Sequence, residues 1–393
     1  MDVPRTLVVT NDYPPHVGGI QRTLEALVSR FPPDRVGVWC PDADGAPAFD
    51  AEAPYEVFRQ PERFMWPTPD VRRRVHEAVG IFGAEVVLFG ATYPLALVGP
   101  SLAEAGTPYL SAAHGFEYWL SIAPGTHALM RRATSRAARV PVMCSAFIAR
   151  VVRTAVPNGA PVSVMYPGAD LERFHPDLPY EDVRAAHGVG ERPLVVCVSR
   201  LVARKGQDVL IRAIPRIRHR VPDATLMIVG GGPYEDRLRR LAADADDGSV
   251  VFVGQVSEAD LPRYYRAGNV FAMPCRTRLA GLEVEGWGNV FIEAAACARP
   301  VVVGDSGGAR ESLVPGETGL LVDGSNVEQV ADAVGSLLED PSGAEAMGLA
   351  GRARVEASFD WSRPAEQLAG WLREAAASGA PEGGGGSGVP SRA

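Results

Sequence analysis

The chain has 393 residues, more than a single hydrophobic core usually supports, which favours two domains. Hydrophobic residues make up 46% and charged residues 22%, as in an ordinary globular protein. The net charge of −8 excludes the overall basic field of a general nucleic-acid binder, so no nucleic-acid partner is expected.

Short apolar runs alternate with longer helical patterns along the chain. The first series of candidate strands is 6–11, 85–90, 108–114, 140–146 and 162–168. After a break, a second series follows at 193–199, 224–230, 250–254, 270–274, 300–305 and 319–323. Continuous apolar strands between helices predict parallel sheets covered on both faces. Two such series predict an α/β protein with two doubly wound, Rossmann-like domains.

The break between the two series falls where proline, glycine and aspartate interrupt both periodicities, in residues 166–182. A last helix is predicted over 362–377 and is expected to pack back on the N-terminal domain. The predicted parts are a domain over 1–168, a linker over 169–182, a domain over 183–361 and a disordered tail over 378–393.

Five cysteines are scattered singly and form no Cys-x-x-Cys pair. Such a set indicates reduced core thiols in a cytosolic protein. The N-terminus has no signal-peptide pattern, and no apolar run reaches about 18 residues, the length that indicates a membrane-spanning helix. We therefore expect a cytoplasmic location.

The paired glycines Gly18 and Gly19 precede a predicted helix. Glycine lets the backbone approach a ligand, and the free N–H groups of a helix start attract an anion. Both are candidate binding residues, although a plain strand-to-helix turn would use the same pair.

The residue that closes the strand over 108–114 is His114, in the sequence His-Gly-Phe-Glu. At the carboxyl end of a strand it is a candidate contact to a reacting group. A histidine satisfied within the core is the alternative.

The first loop of the second series carries Arg200 and Lys205, and Lys205 is the only lysine in the chain. Ligands of open α/β sheets bind at the carboxyl ends of strands, so both cations are expected in the crevice. A planar guanidinium and a compact ammonium can together neutralise phosphate oxygens. A solvated surface pair is the alternative, which the uniqueness of the lysine disfavours.

Two glutamates, Glu285 and Glu293, flank a glycine-rich turn. If a helix starts near Asn289, the amides of Gly288, Asn289 and Val290 can meet an anion between the two carboxylates. Carboxylates beside an anion suit the hydroxyls of sugars and ribose. Solvated surface glutamates are the alternative, but the adjacent apolar helix favours burial.

Residues 126–140 are predicted to form a helix with a basic arc opposite an apolar one, typical of a helix lying on anionic lipid. The arginines of that arc are Arg131, Arg132, Arg136 and Arg139, and three more occupy 72–74. An arginine face that is solvated and packed on its own domain is the alternative.

Five motifs together resemble those of the family 4 retaining glycosyltransferases. They are P-P-x-x-G-G-I-Q at 14–21, H-G-x-E at 114–117, S-R-L-x-x-R-K-G-Q-D at 199–208, V-G-G-G-P-Y at 229–234 and E-G-x-G-x-x-x-x-E at 285–293. The resemblance implies the GT-B fold, in which two Rossmann-like domains face each other across a cleft. Within the family, residues 10–21 and 274–294 look like the actinobacterial enzymes that transfer mannose from GDP-mannose to phosphatidylinositol mannosides.

By position, the resemblance implies a role for each candidate. Gly19 would contact the donor diphosphate, which Arg200 and Lys205 would neutralise. Glu285 would bind hydroxyls of the transferred sugar, Glu293 those of the ribose, and His114 would lie near the anomeric carbon. The backbone of Gly254, Gln255 and Val256 would face the base.

The resemblance also implies the partners and the reaction. These are a nucleotide-sugar donor, a glycolipid acceptor and an anionic membrane surface, with the protein peripheral on the inner face of the plasma membrane. Such enzymes need no metal, no Asp-x-Asp pair is placed for one here, and no cofactor is expected. No carboxylate is placed as a nucleophile, which favours front-face substitution with the leaving phosphate as base.

Three other functions stay open at this point. Another nucleotide sugar could be transferred to a soluble acceptor. An α-glucan phosphorylase shares this architecture and would hold pyridoxal phosphate on Lys205, but the chain is far shorter than those enzymes. A non-catalytic nucleotide-binding protein would bind GDP without turnover.

Overall fold

The computed structural model describes residues 1–157, 159–245 and 248–379. Its N-terminal part contains a parallel five-stranded sheet in the order β3-β2-β1-β4-β5. These strands are β1 (Thr6–Val9), β2 (Val36–Pro41), β3 (Glu56–Gln60), β4 (Val86–Phe89) and β5 (Tyr109–Ser111). Two further parallel strands, β6 (Val140–Val142) and β7 (Val162–Val164), pair with each other next to β5.

Helices cover this first sheet, so β1 and β4 are buried along their whole length. The helices are α1 (Gly19–Val28), α2 (Ala46–Glu52), α3 (Pro69–Phe82), α4 (Gly99–Glu104), α5 (Glu117–Ile122), α6 (Pro124–Ala133) and α7 (Ala146–Val152).

The C-terminal part contains a parallel six-stranded sheet in the order β10-β9-β8-β11-β12-β13. Its strands are β8 (Leu194–Val198), β9 (Thr225–Val229), β10 (Val250–Gly254), β11 (Val270–Met273), β12 (Val301–Gly304) and β13 (Gly319–Val322). Its helices are α8 (Glu181–Ala186), α9 (Gln207–Arg220), α10 (Glu235–Ala245), α11 (Leu261–Ala267), α12 (Asn289–Ala296), α13 (Val327–Glu339) and α14 (Pro341–Ser358). The two sheets confirm the predicted α/β class.

The chain crosses between the two sheet-containing parts twice, side by side. Ala169 and Asp360 form a parallel bridge, and the Ala169 N–H donates to the Phe359 carbonyl at 2.7 Å. Gly168 is required here because a Cβ atom would lie 2.7 Å from the Trp361 ring. Helix α15 (Ser362–Gly379) then packs on α1, β4 and β5 of the first part.

The structure differs from the sequence-based prediction at three places. Strands β2 and β3 lie in a region where none was predicted. The helix predicted over 126–140 ends at Ala133. Helix α15 runs through Gly379, which the predicted tail had included, and residues 380–393 of that tail lie outside the described residues.

All five cysteines are buried and unpaired, which confirms the predicted core thiols. No helix within the described ranges is long and apolar enough to cross a membrane.

Candidate active site

A cleft of about 710 Å³ separates the two sheets at their carboxyl ends. The first part of the chain lines it with loops after β1 and β5, and the second part with loops after β8 and β11. The sequence-predicted residues that the cleft brings together are Gly19, His114, Arg200, Lys205, Glu285, Gly288, Asn289 and Val290. Four segments that are distant in sequence therefore meet at one site.

The Glu285 carboxylate is buried in the cleft between two cations. Its Oε2 atom lies 2.7 Å from Lys205 Nζ and 3.2 Å from Arg204 Nη1. Burial alone would raise the pKa of Glu285, but the charges of Lys205 and Arg204 outweigh burial and hold the pKa below its ordinary value. This carboxylate is therefore a fixed anion near neutral pH.

Backbone contacts hold Glu285 in place. Its N–H donates to Ser306 Oγ at 3.1 Å, and its carbonyl accepts from the Gly308 N–H at 2.9 Å. Gly308 has no room for a side chain, since a Cβ atom would lie 2.1 Å from the Gly286 carbonyl oxygen. The loop after β12 thus supports the loop that carries Glu285.

Lys205 ends a short 3-10 helix, Ala203–Lys205, and Gly206 turns the chain into α9. Gly206 has φ 80° and packs against Pro274, whose carbonyl oxygen would lie 2.0 Å from a Cβ atom. Only glycine satisfies both conditions, and this turn directs the ammonium at Glu285.

The two arginines of this loop differ in their contacts. Arg204 lines the cleft and pairs with Glu285, a role that the sequence analysis missed although Arg204 adjoins Lys205 in the motif. The exposed Arg200 guanidinium makes no hydrogen bond or ion pair within the described part of the chain. Arg200 is therefore available to an anionic ligand.

Two helix N-termini open into the cleft. Gly19 begins α1, with Gly18 as its N-cap, and Asn289 begins α12 after Gly288, which has φ 89°. Neither helix has an acidic residue in its first turn. The partial positive charge of both ends is thus left for an anionic ligand between the domains.

Glu293 lies one turn into α12 and faces a second cavity of about 250 Å³, which shares Asn289 with the cleft. Tyr265 Oη donates to its carboxylate at 2.6 Å. Burial raises the pKa of Glu293, and the Tyr265 hydrogen bond and the charges of Arg22 and Arg173 only partly offset it. The buried Glu293 carboxylate is therefore suited to accept hydrogen bonds from a neutral polar ligand group, such as a hydroxyl.

The residues at the end of β10 lie at the same sheet edge but line neither cavity. The Gly230 N–H donates to the Gly254 carbonyl at 2.7 Å, and the Gln255 side chain contacts Gly231. The assignment of Gly254, Gln255 and Val256 to the base stays a prediction.

His114 is held by its ring and by its backbone. Its Nε2 atom is 2.8 Å from the Gly90 carbonyl, which can only accept, so Nε2 carries a proton and donates it to that oxygen. The Glu117 carboxylate accepts from the His114 N–H at 2.7 Å and from the Thr92 N–H at 3.2 Å. Glu117 was not among the predicted residues.

The basic segment does not form the predicted single arc. Arg131 and Arg132 end α6, while Arg136 and Arg139 follow it. Arg139 instead binds the chain itself, because it lies 2.7 Å from Glu374 and stacks 5.2 Å from the Trp371 ring of α15. The prediction was wrong because the helix ends at Ala133, where the next residues extend toward β6.

No group of three or more histidine, cysteine, aspartate or glutamate side chains in the described ranges could hold a metal ion. This finding does not test the expectation of metal-independent chemistry, which stays a prediction.

Two protein families match the chain, one on each part. The family described as Glycosyltransferase Family 4 matches residues 17–173, and the family described as Glycosyl transferases group 1 matches residues 180–354. The boundary between the two matches falls in the predicted linker.

Curated relatives match over nearly the whole chain. The GDP-mannose-dependent alpha-(1-6)-phosphatidylinositol monomannoside mannosyltransferase of Mycolicibacterium smegmatis is 44% identical over 382 residues, covering 93% of this chain and 98% of the relative. The GDP-mannose-dependent monoacylated alpha-(1-6)-phosphatidylinositol monomannoside mannosyltransferase of Corynebacterium glutamicum is 39% identical, covering 94% and 98%.

A solved structure shares the fold. The Anabaena protein HepE in complex with UDP and glucose superposes with a TM-score of 0.78 at 21% identity, covering 94% of this chain and 100% of HepE. With the identities to the relatives over nearly the full chain, these matches show that the chain belongs to glycosyltransferase family 4 and has its GT-B fold.

Proposed function

We propose that this protein is a retaining mannosyltransferase that moves mannose from GDP-mannose to a phosphatidylinositol mannoside acceptor in an α-linkage. The observation that carries the proposal is the ion-paired Glu285 beside the α12 N-terminus, in a chain 44% identical to relatives named for this reaction. The donor diphosphate would lie between the N-termini of α1 and α12, with Arg200 as its free counter-charge.

The charges of the site fit cleavage of a sugar–phosphate bond. As the bond from the anomeric carbon to the phosphate oxygen breaks, negative charge grows on that oxygen. Arg200, Lys205 and the two helix N-termini would stabilise this charge. Glu285 would bind hydroxyls of the mannose and hold Lys205 in position.

Retention of configuration follows from front-face substitution in this proposal. The carboxylates that line the cleft are Glu283, which lies 2.7 Å from Arg278, and Glu285, which is held by Lys205 and Arg204. Neither is free to attack the anomeric carbon. The acceptor hydroxyl would bond to that carbon on the face that the phosphate leaves, and its proton would pass to the leaving phosphate oxygen.

A lipid acceptor places the protein at a membrane. We propose a peripheral location on the cytoplasmic face of the plasma membrane, with a nucleotide-sugar donor and a glycolipid acceptor as partners. The finding that supports a peripheral rather than integral location is that no described helix could cross a membrane.

A ligand panel tests the donor. GDP and GDP-mannose should raise the melting temperature more than UDP, UDP-glucose or UDP-N-acetylglucosamine, and only GDP-mannose should support transfer. Stabilisation by UDP-sugars alone would overturn the mannose assignment. Binding of GDP-mannose without transfer or hydrolysis would instead favour a non-catalytic nucleotide-binding protein.

A further inference from the structure

Exposed apolar side chains from both domains surround the mouth of the cleft. Helix α5 and the residue before it expose three of them, spaced three residues apart and so on one face, and the loop over 278–283 exposes two more. We call this set the apolar rim: Phe116, Trp119, Ile122, Leu279 and Leu282, whose exposed fractions run from 38% to 60%.

A hydrogen bond across the domain boundary joins the two halves of the rim. Tyr118 Oη, on α5, donates to the Gly281 carbonyl of the loop at 2.6 Å. The loop is closed at its base by Arg278 and Glu283, whose backbone groups exchange hydrogen bonds of 2.8 and 3.1 Å. The rim is therefore a composite surface that exists only when the two domains are together.

The backbone of the loop is held in an unusual conformation. Leu279 and Ala280 have φ angles of 51° and 52°, in the left-handed region that side chains disfavour. In this conformation the Leu279 side chain has 60% of its surface exposed to solvent. Folding gains no core contact from that arrangement, which indicates a ligand or partner outside the chain.

The rim is continuous with the cleft. Phe116 and Trp119 are exposed and also line the cavity that holds Glu285 and His114. An apolar path thus leads from the site of sugar transfer to the outer surface. This shape fits an amphiphile, whose sugar head group enters the cleft while its hydrocarbon part stays outside.

We infer that the apolar rim binds the acyl-chain region of the lipid acceptor at the membrane interface. The inference rests on the proposed function, because relatives named for phosphatidylinositol mannoside acceptors motivate the choice of a lipid. Aromatic and aliphatic side chains of this kind are stable at the boundary between headgroups and acyl chains. The test must distinguish lipid from two other partners that could bind the rim, a second copy of the chain and another protein with an apolar surface.

The test is a double variant, Ile122→Gln with Leu279→Asn. Both side chains lie outside the cleft lining, and asparagine tolerates the left-handed backbone at 279. The matched control is Ile81→Gln, on an apolar side chain near the end of α3 that is 81% exposed. That residue lies near the amino ends of the strands of the first sheet, away from the cleft, because the neighbouring Phe82 carbonyl accepts from Arg5, just before β1.

Three measurements are made on the full chain: flotation with vesicles of phosphatidylinositol and phosphatidylcholine, KM for an acylated acceptor, and KM for the same acceptor after deacylation. The double variant should lose most vesicle binding and raise KM for the acylated acceptor about tenfold or more, since it removes two apolar contacts. KM for the deacylated acceptor, affinity for GDP and the control variant should stay unchanged.

Equal vesicle binding by wild type and double variant would overturn the inference, as would an equal rise of KM for both acceptors. A dimer of the wild type that the double variant disrupts, with lipid binding intact, would assign the rim to self-association instead. Failure of the wild type to transfer mannose to either acceptor would contradict the proposed function, while flotation would still decide whether the rim binds lipid.

Discussion

Two buried glutamates eight residues apart have opposite electrostatic surroundings. Glu285 is paired with Lys205 and Arg204, and its pKa is lowered in spite of burial. Glu293 has the hydroxyl of Tyr265 as its direct partner, and burial raises its pKa. The same side chain is therefore expected to stabilise the fold at one position and to destabilise it at the other near neutral pH.

Conversion of each glutamate to glutamine tests this difference. Glu285→Gln leaves Lys205 unpaired and should lower the free energy of unfolding by about 3 kcal/mol at pH 7. Because the pKa of Glu285 is depressed, this loss should be complete above the ordinary value of 4.5 and shrink as the pH falls through the folded pKa.

Glu293→Gln should show the opposite trend. Because the pKa of Glu293 is raised, the wild type loses stability relative to this variant as the pH rises above 4.5 toward the folded pKa. Denaturant titrations of both variants between about pH 3 and 8 measure the two trends, because this range extends below and above the ordinary value. Parallel curves for the two variants would contradict the assigned surroundings.

The charge of Glu285 is expected to matter more for turnover than the charge of Glu283, which also lines the cleft. Glu285→Gln should lower kcat by about 100-fold to 1000-fold, because the mannose hydroxyls lose an anionic acceptor and Lys205 loses its positioning partner. Glu283→Gln is the control, since Glu283 also lines the cleft but pairs with Arg278. A similar loss in both variants would show that Glu285 has no role distinct from that of Glu283.

Lysine is expected to be required at position 205 for its size. The Lys205 side chain is only 11% exposed and its Nζ lies 2.7 Å from Glu285, so a guanidinium does not fit the same space. Lys205→Arg should lower kcat/KM about 100-fold while the melting temperature changes by no more than about 4 °C. Near-normal kcat/KM in Lys205→Arg would show that the single lysine has no special role. The comparison variant is Arg204→Lys, which should lower kcat/KM less because the Arg204 side chain is more exposed.

Sequence reasoning found the charged residues of the site from motifs and loop positions, but not their partners. It placed Arg200, Lys205 and Glu285 at strand ends, and the cleft brings all three together. It gave no role to Arg204, whose contact with Glu285 arises only when loops from different strands meet. It also gave none to Glu117, which accepts from the His114 N–H of its own loop and from the Thr92 N–H after β4. The RKG sequence itself was the one available signal for Arg204.

At the scale of elements, the N-terminus of α7 is capped by a residue of the other domain. The Glu311 carboxylate accepts from the Ala146 N–H at 2.8 Å, the Phe147 N–H at 2.9 Å and the Tyr166 hydroxyl at 2.9 Å. Glu311 lies on the loop after β12 that also supports Glu285. The cap thus connects the orientation of the domains to the loop that carries Glu285.

Removal of this cap should impair turnover more than nucleotide binding. Glu311→Ala loses charge-assisted hydrogen bonds across the domains, and kcat/KM should fall about tenfold, whereas Kd for GDP should change less than about twofold. Calorimetric titration with GDP and steady-state kinetics measure the two effects. Glu317→Ala, on an exposed acid a few residues later, should change neither. An equal loss of GDP affinity in Glu311→Ala would show that the contact supports only the C-terminal domain.

The sequence predicted eleven of the described strands but missed β2 and β3, although β2 is buried along its whole length. All eleven predicted strands occur, because runs such as that of β8 are apolar throughout. Strand β3 reads Glu-Val-Phe-Arg-Gln and lies at the sheet edge, where polar side chains remain partly exposed. The prediction of a helix over 126–140 was wrong at its C-terminal end, because a periodic pattern of arginines does not show where a helix ends.

At the scale of the whole molecule, ion pairs join the two domains beside the cavity that Glu293 lines. Glu258, after β10, pairs with Arg22 of α1 and lies 2.9 Å from Arg173 in the crossover segment. These side chains are partly exposed, so each pair contributes little to stability and can open and reform. These ion pairs between the domains arise only in the folded protein, so the sequence of neither domain alone predicts them.

The central claim is mannose transfer from GDP-mannose to a phosphatidylinositol mannoside with retained configuration. The most direct measurement is a reaction of the purified protein with GDP-mannose labelled with 13C at the anomeric carbon and phosphatidylinositol monomannoside in vesicles, followed by NMR of the product. The account predicts a new labelled mannose on the acceptor with an α anomeric signal. A β signal, or the absence of labelled mannose on the acceptor, would contradict it.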